Sequence, residues 1–205
     1  YRHYEDYQSL SFTYFDYIEV KTKWLSPELR KEYKTAQETI AADKTNINDY
    51  EFKNPVPGSV VTSEFGNRKR NGKIQFHKGI DFAAPLSKHT LPVDRLKLPI
   101  VCQWDGVVKE INLHISGYGT SVDIEHSTDD GYSFVTRYAH MERNDIDTRM
   151  LFIGAKISAG QTILKIGNAG RSSGHHLHYE TIVNGKHKNP RKSFPRMYEE
   201  NSIDP

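Results

Sequence analysis

The sequence predicts a mainly β protein: a small antiparallel β-sheet domain preceded by an N-terminal helical extension. Three observations lead there. From about Asn54 onward the chain breaks into short β-like runs punctuated by glycine, with turn residues every ten or so positions, as in an antiparallel sheet, sandwich or barrel. Just before those runs, Pro55, Pro57 and Gly58 mark a boundary. Ahead of the boundary, apolar residues recur at intervals of three or four, as on one face of a helix. The expected division is residues 1–53 as a helical extension or spacer, and residues 54–205 as the β domain with a C-terminal tail.

Taken in order, residues 1–20 are crowded with aromatics, and Tyr7, Leu10, Tyr14, Tyr17 and Ile18 are spaced for a helix. Ser26-Pro27 opens a second helix, with serine as N-cap and proline at the first helical position. Leu29, Tyr33, Ala36, Gln37 and Ile40 form its stripe, which predicts a helix over about 27–43. Beyond the boundary the runs "VVTSEFG", "GVVKEINLHI", "TSVDIEH", "SFVTRYAHM", "AKISAGQTILKIG" and "LHYETIVNG" read as strands. The glycines bracketing "GAKISAG" suit tight turns. Leu86 to Leu98, of mixed charge and flanked by Pro85 and Pro99, reads as a loop insertion.

A chain of 205 residues suits one domain, or one domain with an appendage. It can bury a core without disulfide or metal staples. Net charge is +2, and the basic clusters at Arg68–Arg70 and Lys186–Lys192 are short. Neither makes the sustained basic face that nucleic acid requires. The single cysteine, Cys102, has apolar neighbours; it reads as a small buried hydrophobe and supports no disulfide framework. No run approaches the ~18 apolar residues of a membrane span. No signal peptide is visible, but the chain starts at Tyr1 rather than methionine; it reads as a trimmed piece, so that absence carries no weight.

The chemistry concentrates in "GHHLHYE", Gly174 to Glu180, with three histidines in four positions. On a strand, residues two apart share a face. His176 and His178 would then project together, with His175 and Leu177 facing the other way. Two imidazoles on one face make metal ligands, or a ligand plus a base, and at neutral pH should be neutral or metal-bound. "FHKGIDFAAP" sets His77 four residues before Asp81, around a glycine that permits a sharp turn. Two histidines and an aspartate make three protein ligands; a fourth position left to water is the catalytic zinc pattern. Alone, His77 and Asp81 would equally suit a loop salt bridge or an Asx turn. Taken singly, His140 in "TRYAHM" and His126 in "DIEHS" read as satisfied core or strand-end histidines. His3, His89, His114 and His187 lie in polar surroundings and carry no assignment. A cupin-like barrel also uses an H-x-H pair. A facial-triad iron site also uses two histidines and an acid, but its first histidine and acid usually lie two apart, not four.

"VTSEFGNR", "FHKGIDFAAP", "DGVV", "YAHM", "ISAGQTILKIGNAGRSSGHHLHYE" and "VNGKHKNP" occur in the order and approximate spacing of one family. Over roughly residues 58 to 194 the chain resembles the lysostaphin/LytM-type zinc metallopeptidases. The resemblance implies a groove-forming antiparallel β fold, Zn2+ as cofactor, and hydrolysis of peptide cross-links in bacterial peptidoglycan. By position, His77 and Asp81 match the family's H-x3-D ligands, and His178 matches the third ligand. His176 and His140 match its two catalytic histidines. Met141 replaces the usual leucine after His140, and His175 stands where proline is common. The implied reaction is metal-assisted amide hydrolysis, one histidine moving the water proton and the other stabilising the oxyanion; the residues do not say which does which. The implied partner is a peptidoglycan peptide, and the implied location periplasmic or elsewhere in the cell envelope, or extracellular. A membrane anchor upstream of residue 1 fits the same picture. The alternative is a silent or latent LytM-type regulatory or wall-binding module, with the first fifty residues lying across the groove. Nothing in the residues chooses between a D-alanyl cross-link and a glycine bridge.

Overall fold

The computed structural model describes residues 26–28, 30–31, 34–35, 54–70, 72–85, 97–127 and 133–191. Twelve strands lie among them. The main sheet has eight strands, and its path runs β1 (Val60–Ser63), β4 (Ile80–Ala83), β11 (Leu177–Val183), β8 (Ser133–Met141), β7 (Thr120–Ser127), β6 (Gly106–Leu113) and β9 (Lys156–Ile157). The eighth, β12 (Lys186–Lys188), hangs on β11. Two smaller pairs stand apart: β2 (Gly66–Arg70) with β3 (Lys73–His77), and β5 (Pro99–Val101) with β10 (Thr162–Lys165). Every pairing is antiparallel.

Strand periodicity divides the sheet into two faces. Ile80 and Phe82 of β4, Leu177 and Tyr179 of β11, Tyr138 of β8 and Val122 and Ile124 of β7 enter the core. Leu98, Ile100, Val101, Ile163, Leu164 and Ile166, on and beside the β5–β10 pair, belong to the same cluster. Each such large apolar side chain contributes roughly 1.5–3 kcal/mol by leaving water. Tyr138 and Tyr179 lie opposite one another in the ladder and meet edge to face, ring centroids 5.3 Å apart, a favoured aromatic geometry. The alternate residues Asp81, His178, Glu180, Arg137 and Asp123 fall on the other face, where register sets Asp81 beside His178, Glu180 beside Arg137 and Arg137 beside Asp123.

All six runs expected to be strands form strands. "AKISAGQTILKIG" is split, its ends joining different sheets, with Gly154 and Gly160 at φ 90° and 79° making the turns. The β2–β3 hairpin was not anticipated, because its residues are mostly polar. Its signal was the Asn71-Gly72 pair, the strongest short-range hairpin mark. Cys102 is fully buried, donates to the Trp104 carbonyl at 3.2 Å, and burial pushes its thiol up to about 12. The residues described within 27–35 are helical, and the Arg30 amide donates to the Ser26 carbonyl at 2.9 Å. The helix expected within residues 1–20 and most of the Leu86–Leu98 insertion lie outside the described residues. Among the described residues no helix is long and apolar enough to cross a membrane.

Candidate metal centre and its groove

Three strands bring to one point three side-chain atoms of kinds that can hold a metal ion. His77 ends β3, Asp81 lies in β4, and His178 lies in β11 directly beside Asp81 in the ladder. His77 Nε2 is 3.1 Å from Asp81 Oδ1 and 3.0 Å from His178 Nδ1, and the third side, His178 Nδ1 to Asp81 Oδ1, is 2.8 Å. Ligands about 2.0–2.2 Å from a tetrahedral zinc lie roughly 3.3 Å apart along the edges, so a small relaxation of this triangle admits the ion. The electrostatics fit a cation as well. Burial alone would raise the Asp81 pKa, yet hydrogen bonds to His178 and His77 hold it well below the usual carboxylate range. Burial opposes charge on His178, and the Asp81 and Glu180 carboxylates overcome it and raise its pKa.

Gly79 serves the triangle differently from the sharp turn expected of it. Its backbone is not left-handed. A Cβ there would strike the Tyr179 carbonyl oxygen and come within 3.0 Å of His178 Cε1. Glycine is needed because the chain between His77 and Asp81 passes hard against β11.

His140 and His176 stand beside the triangle. Their ring centroids are 4.7 Å apart, and His140 is 5.8 Å from the His178 ring. His176 Nε2 lies 3.8 Å from Asp81 Oδ1. His176 precedes β11 and bridges to Gly167; its Nδ1 donates to the Gly174 carbonyl at 2.8 Å. His140 Nδ1 donates to the Ala169 carbonyl at 2.9 Å. A carbonyl only accepts, so each Nδ1 carries the proton and each Nε2 is left basic. Burial, then the neighbouring His176, pushes His140 down to about 4; burial also lowers His176. Both are neutral at physiological pH. The His140 backbone is left-handed, at φ 68°, which costs a non-glycine residue roughly 1 kcal/mol or more. It is held by its amide on the Tyr118 carbonyl (2.8 Å) and by the Ala169 amide on its own carbonyl (3.2 Å).

Asp81, His140, His176 and His178 line a groove of about 810 Å³, open to solvent. Leu177 does face the core, as expected, whereas His175 lines the groove rather than turning away. It lies before the strand begins, where alternation does not apply.

The sequence profile of peptidase family M23 matches residues 75–190, more than half of the chain. The chain belongs to that family. Among its M23 relatives, the peptidoglycan DD-endopeptidase ShyC of Vibrio cholerae is 35% identical over 143 residues, 68% of this chain and 28% of ShyC. ShyA, a peptidoglycan DD-endopeptidase of the same organism, is 33% identical over 136 residues, 65% of this chain and 27% of ShyA. The chain thus spans less than a third of these relatives' length. The crystal structure of a zinc containing peptidase from Vibrio cholerae superposes with a TM-score of 0.54 at 28% identity, over 70% of this chain and 40% of that one. M23 membership overturns the cupin-like and facial-triad readings.

Sequence reasoning missed what supports this M23 site. Glu180 is fully buried, and its Oε1 accepts from His178 Nε2 at 3.0 Å and from the Tyr118 hydroxyl at 2.7 Å. Its Oε2 faces Arg137 at 3.5 Å and His187 at 3.4 Å. Burial would raise the Glu180 pKa, but the bond to His178 leads a set of contacts that hold it well below the carboxylate range. Arg68 grips the remaining oxygen of Asp81 at 2.9 Å and Ser63 Oγ at 2.6 Å. His77 Nδ1 donates to the Glu64 carbonyl at 2.8 Å. Glu180 had a signal, since it lies two residues beyond His178 on a strand. Arg68 and Tyr118 had none; sheet pairing alone brings them in. His126 proves a core histidine, 1% exposed, with Nδ1 on the Asp105 carbonyl at 2.9 Å and Nε2 on Thr136 Oγ1 at 2.8 Å.

Proposed function

We propose that this chain is a Zn2+-dependent endopeptidase that hydrolyses peptide cross-links of bacterial peptidoglycan. The observation that carries the reading is geometric: in an M23 chain, Asp81 and two histidines converge within 3.1 Å of one another beside two further histidines with free, basic Nε2 atoms. His77 Nε2, Asp81 Oδ1 and His178 Nδ1 are the protein ligands. When bound, Zn2+ supplies Lewis acidity, polarising a carbonyl and bringing the pKa of water from 15.7 down towards about 7.

The chain's own residues do the rest. Arg68 occupies Asp81 Oδ2, which leaves Oδ1 as a single-point ligand. Glu180 and the Glu64 carbonyl fix the tautomers of His178 and His77. His176 Nε2, nearer the triangle, takes the proton of the attacking water and returns it to the leaving amine. His140 also reaches the site with a bare Nε2, so donating to an oxyanion requires it first to take up a proton. A silent module would not need all five side chains in place.

The names of ShyC and ShyA support the D-alanyl cross-link over a glycine bridge as the bond cut. A substrate in the wall fits an enzyme in the periplasm or elsewhere in the cell envelope, or outside the cell. Residues 1–53 act as a spacer ahead of the catalytic domain at 54–205. The test is direct. Purified protein should carry about one zinc per chain and convert dimeric muropeptides to monomers, and a strong chelator should stop it until zinc is restored. Dimers left intact by the zinc-loaded enzyme would end this reading.

A further inference from the structure

The groove is charged on one side of neutrality. Arg68, Lys69, Arg70 and Arg171 line it, against Asp81 as its one acid among the described residues. Both Asp81 oxygens are engaged, Oδ1 in the ligand triangle and Oδ2 on Arg68. Nothing within the groove therefore offsets Arg70 or Arg171, and among the described residues neither has a carboxylate partner.

The two arginines reach the groove from different elements. Arg68 and Arg70 are two apart on β2, hence on one face; the spacing places Arg70 about 6–7 Å farther along the strand from the Asp81 contact. Arg171 lies on the loop that leads to His176. That loop is tightly fixed: the Arg171 amide donates to the Gly117 carbonyl at 2.8 Å, and neighbouring Gly170 presses against Gly119 with no room for a Cβ. Its backbone is anchored while its side chain is exposed. A guanidinium is a planar fork matched to a carboxylate. It gains more inside a concave wall than on open surface, because such a wall focuses the field.

We infer that Arg171 and Arg70 form a carboxylate-binding subsite flanking the reaction centre, which selects peptides bearing free carboxylates close to the cleaved amide. This rests on the peptidase reading and deepens it. It favours anionic cross-linked stem peptides and disfavours both neutral bridges and amidated stems.

Two synthetic cross-linked peptide dimers test it, identical except that the carboxylates near the cross-link are free in one and carboxamides in the other. KM is measured for cleavage by the zinc-loaded protein, and Kd by calorimetry on His176→Ala, which does not consume the ligand. The free-carboxylate dimer should bind about tenfold or more tightly, as expected for a charge-assisted hydrogen bond, with the gap narrowing as salt rises. Arg171→Gln and Arg70→Gln should each shrink the ratio between the dimers, and Arg171→Lys should restore part of it. Lys156→Gln, an equal change of net charge at an exposed residue of β9, should leave the ratio alone. Equal Kd for the two dimers, or a ratio indifferent to both arginines, overturns the subsite. Tighter binding of the free-carboxylate dimer without cleavage would uphold the subsite and sink the peptidase reading instead.

Discussion

Each of the four histidines around the site spends one ring nitrogen on a protein acceptor: the Glu64, Ala169 and Gly174 carbonyls and the Glu180 carboxylate. The other nitrogen is thereby committed to the centre without any choice of tautomer. Removing such a support should loosen the metal without removing a ligand. Glu180→Gln is expected to weaken zinc binding roughly 10–100-fold, read by competition with a chelator dye. Asp81→Ala and His178→Ala should lose the metal, whereas His176→Ala and His140→Ala should keep it and lose roughly 10²–10⁴ in kcat. Metal content per chain separates the two classes. A different histidine governs pH stability. Burial holds His126 down at about 4 against an ordinary 6.5. The unfolded chain therefore takes up a proton that the folded one refuses. Its contribution, about 3 kcal/mol at most, is full above pH 6.5 and is lost as pH falls towards 4. Denaturation midpoints for His126→Gln should fall less steeply than wild type across that window.

At the scale of elements, the decisive fact is how closely β4 approaches β11. Gly79→Ala should cost more than about 2 kcal/mol, seen as a lowered Tm, and should reduce zinc affinity as well, because the inserted methyl meets both the Tyr179 backbone and the His178 ring. How much of this was legible varies by element. Of the main-sheet strands around the site, β8 and β11 announce themselves by apolar alternation between glycine turns, whereas β4, which carries Asp81, was read only as part of a turn around Gly79. "LHYETIV" shows which face holds the histidines, since Leu177 and Tyr179 must go inward. The β2–β3 hairpin was overlooked, since strands such as "GNRKR" bury little and show no apolar alternation; only its Asn-Gly turn speaks. Arg68 reaches Asp81 only because that hairpin folds over β4. The same holds for Tyr118 and Glu180, 62 positions apart and joined by sheet order. Local pattern gives a strand's faces but not its neighbours.

For the whole molecule, every described residue that touches the His77–Asp81–His178 triangle comes from positions 62–180. A chain shortened to begin at residue 54 should therefore hold zinc with unchanged stoichiometry. If residues 1–53 lay across the groove, that shortened chain would cleave faster than the full one; equal rates support the spacer role.

Strand β11 sends Leu177 and Tyr179 into the interior and His178 to the trough, with Glu180 on the same face buried behind it. Warmth that frees the Tyr138–Tyr179 contact must therefore swing the His178 imidazole too. This protein cannot soften inside while staying competent outside: inactivation and melting should trace a single curve.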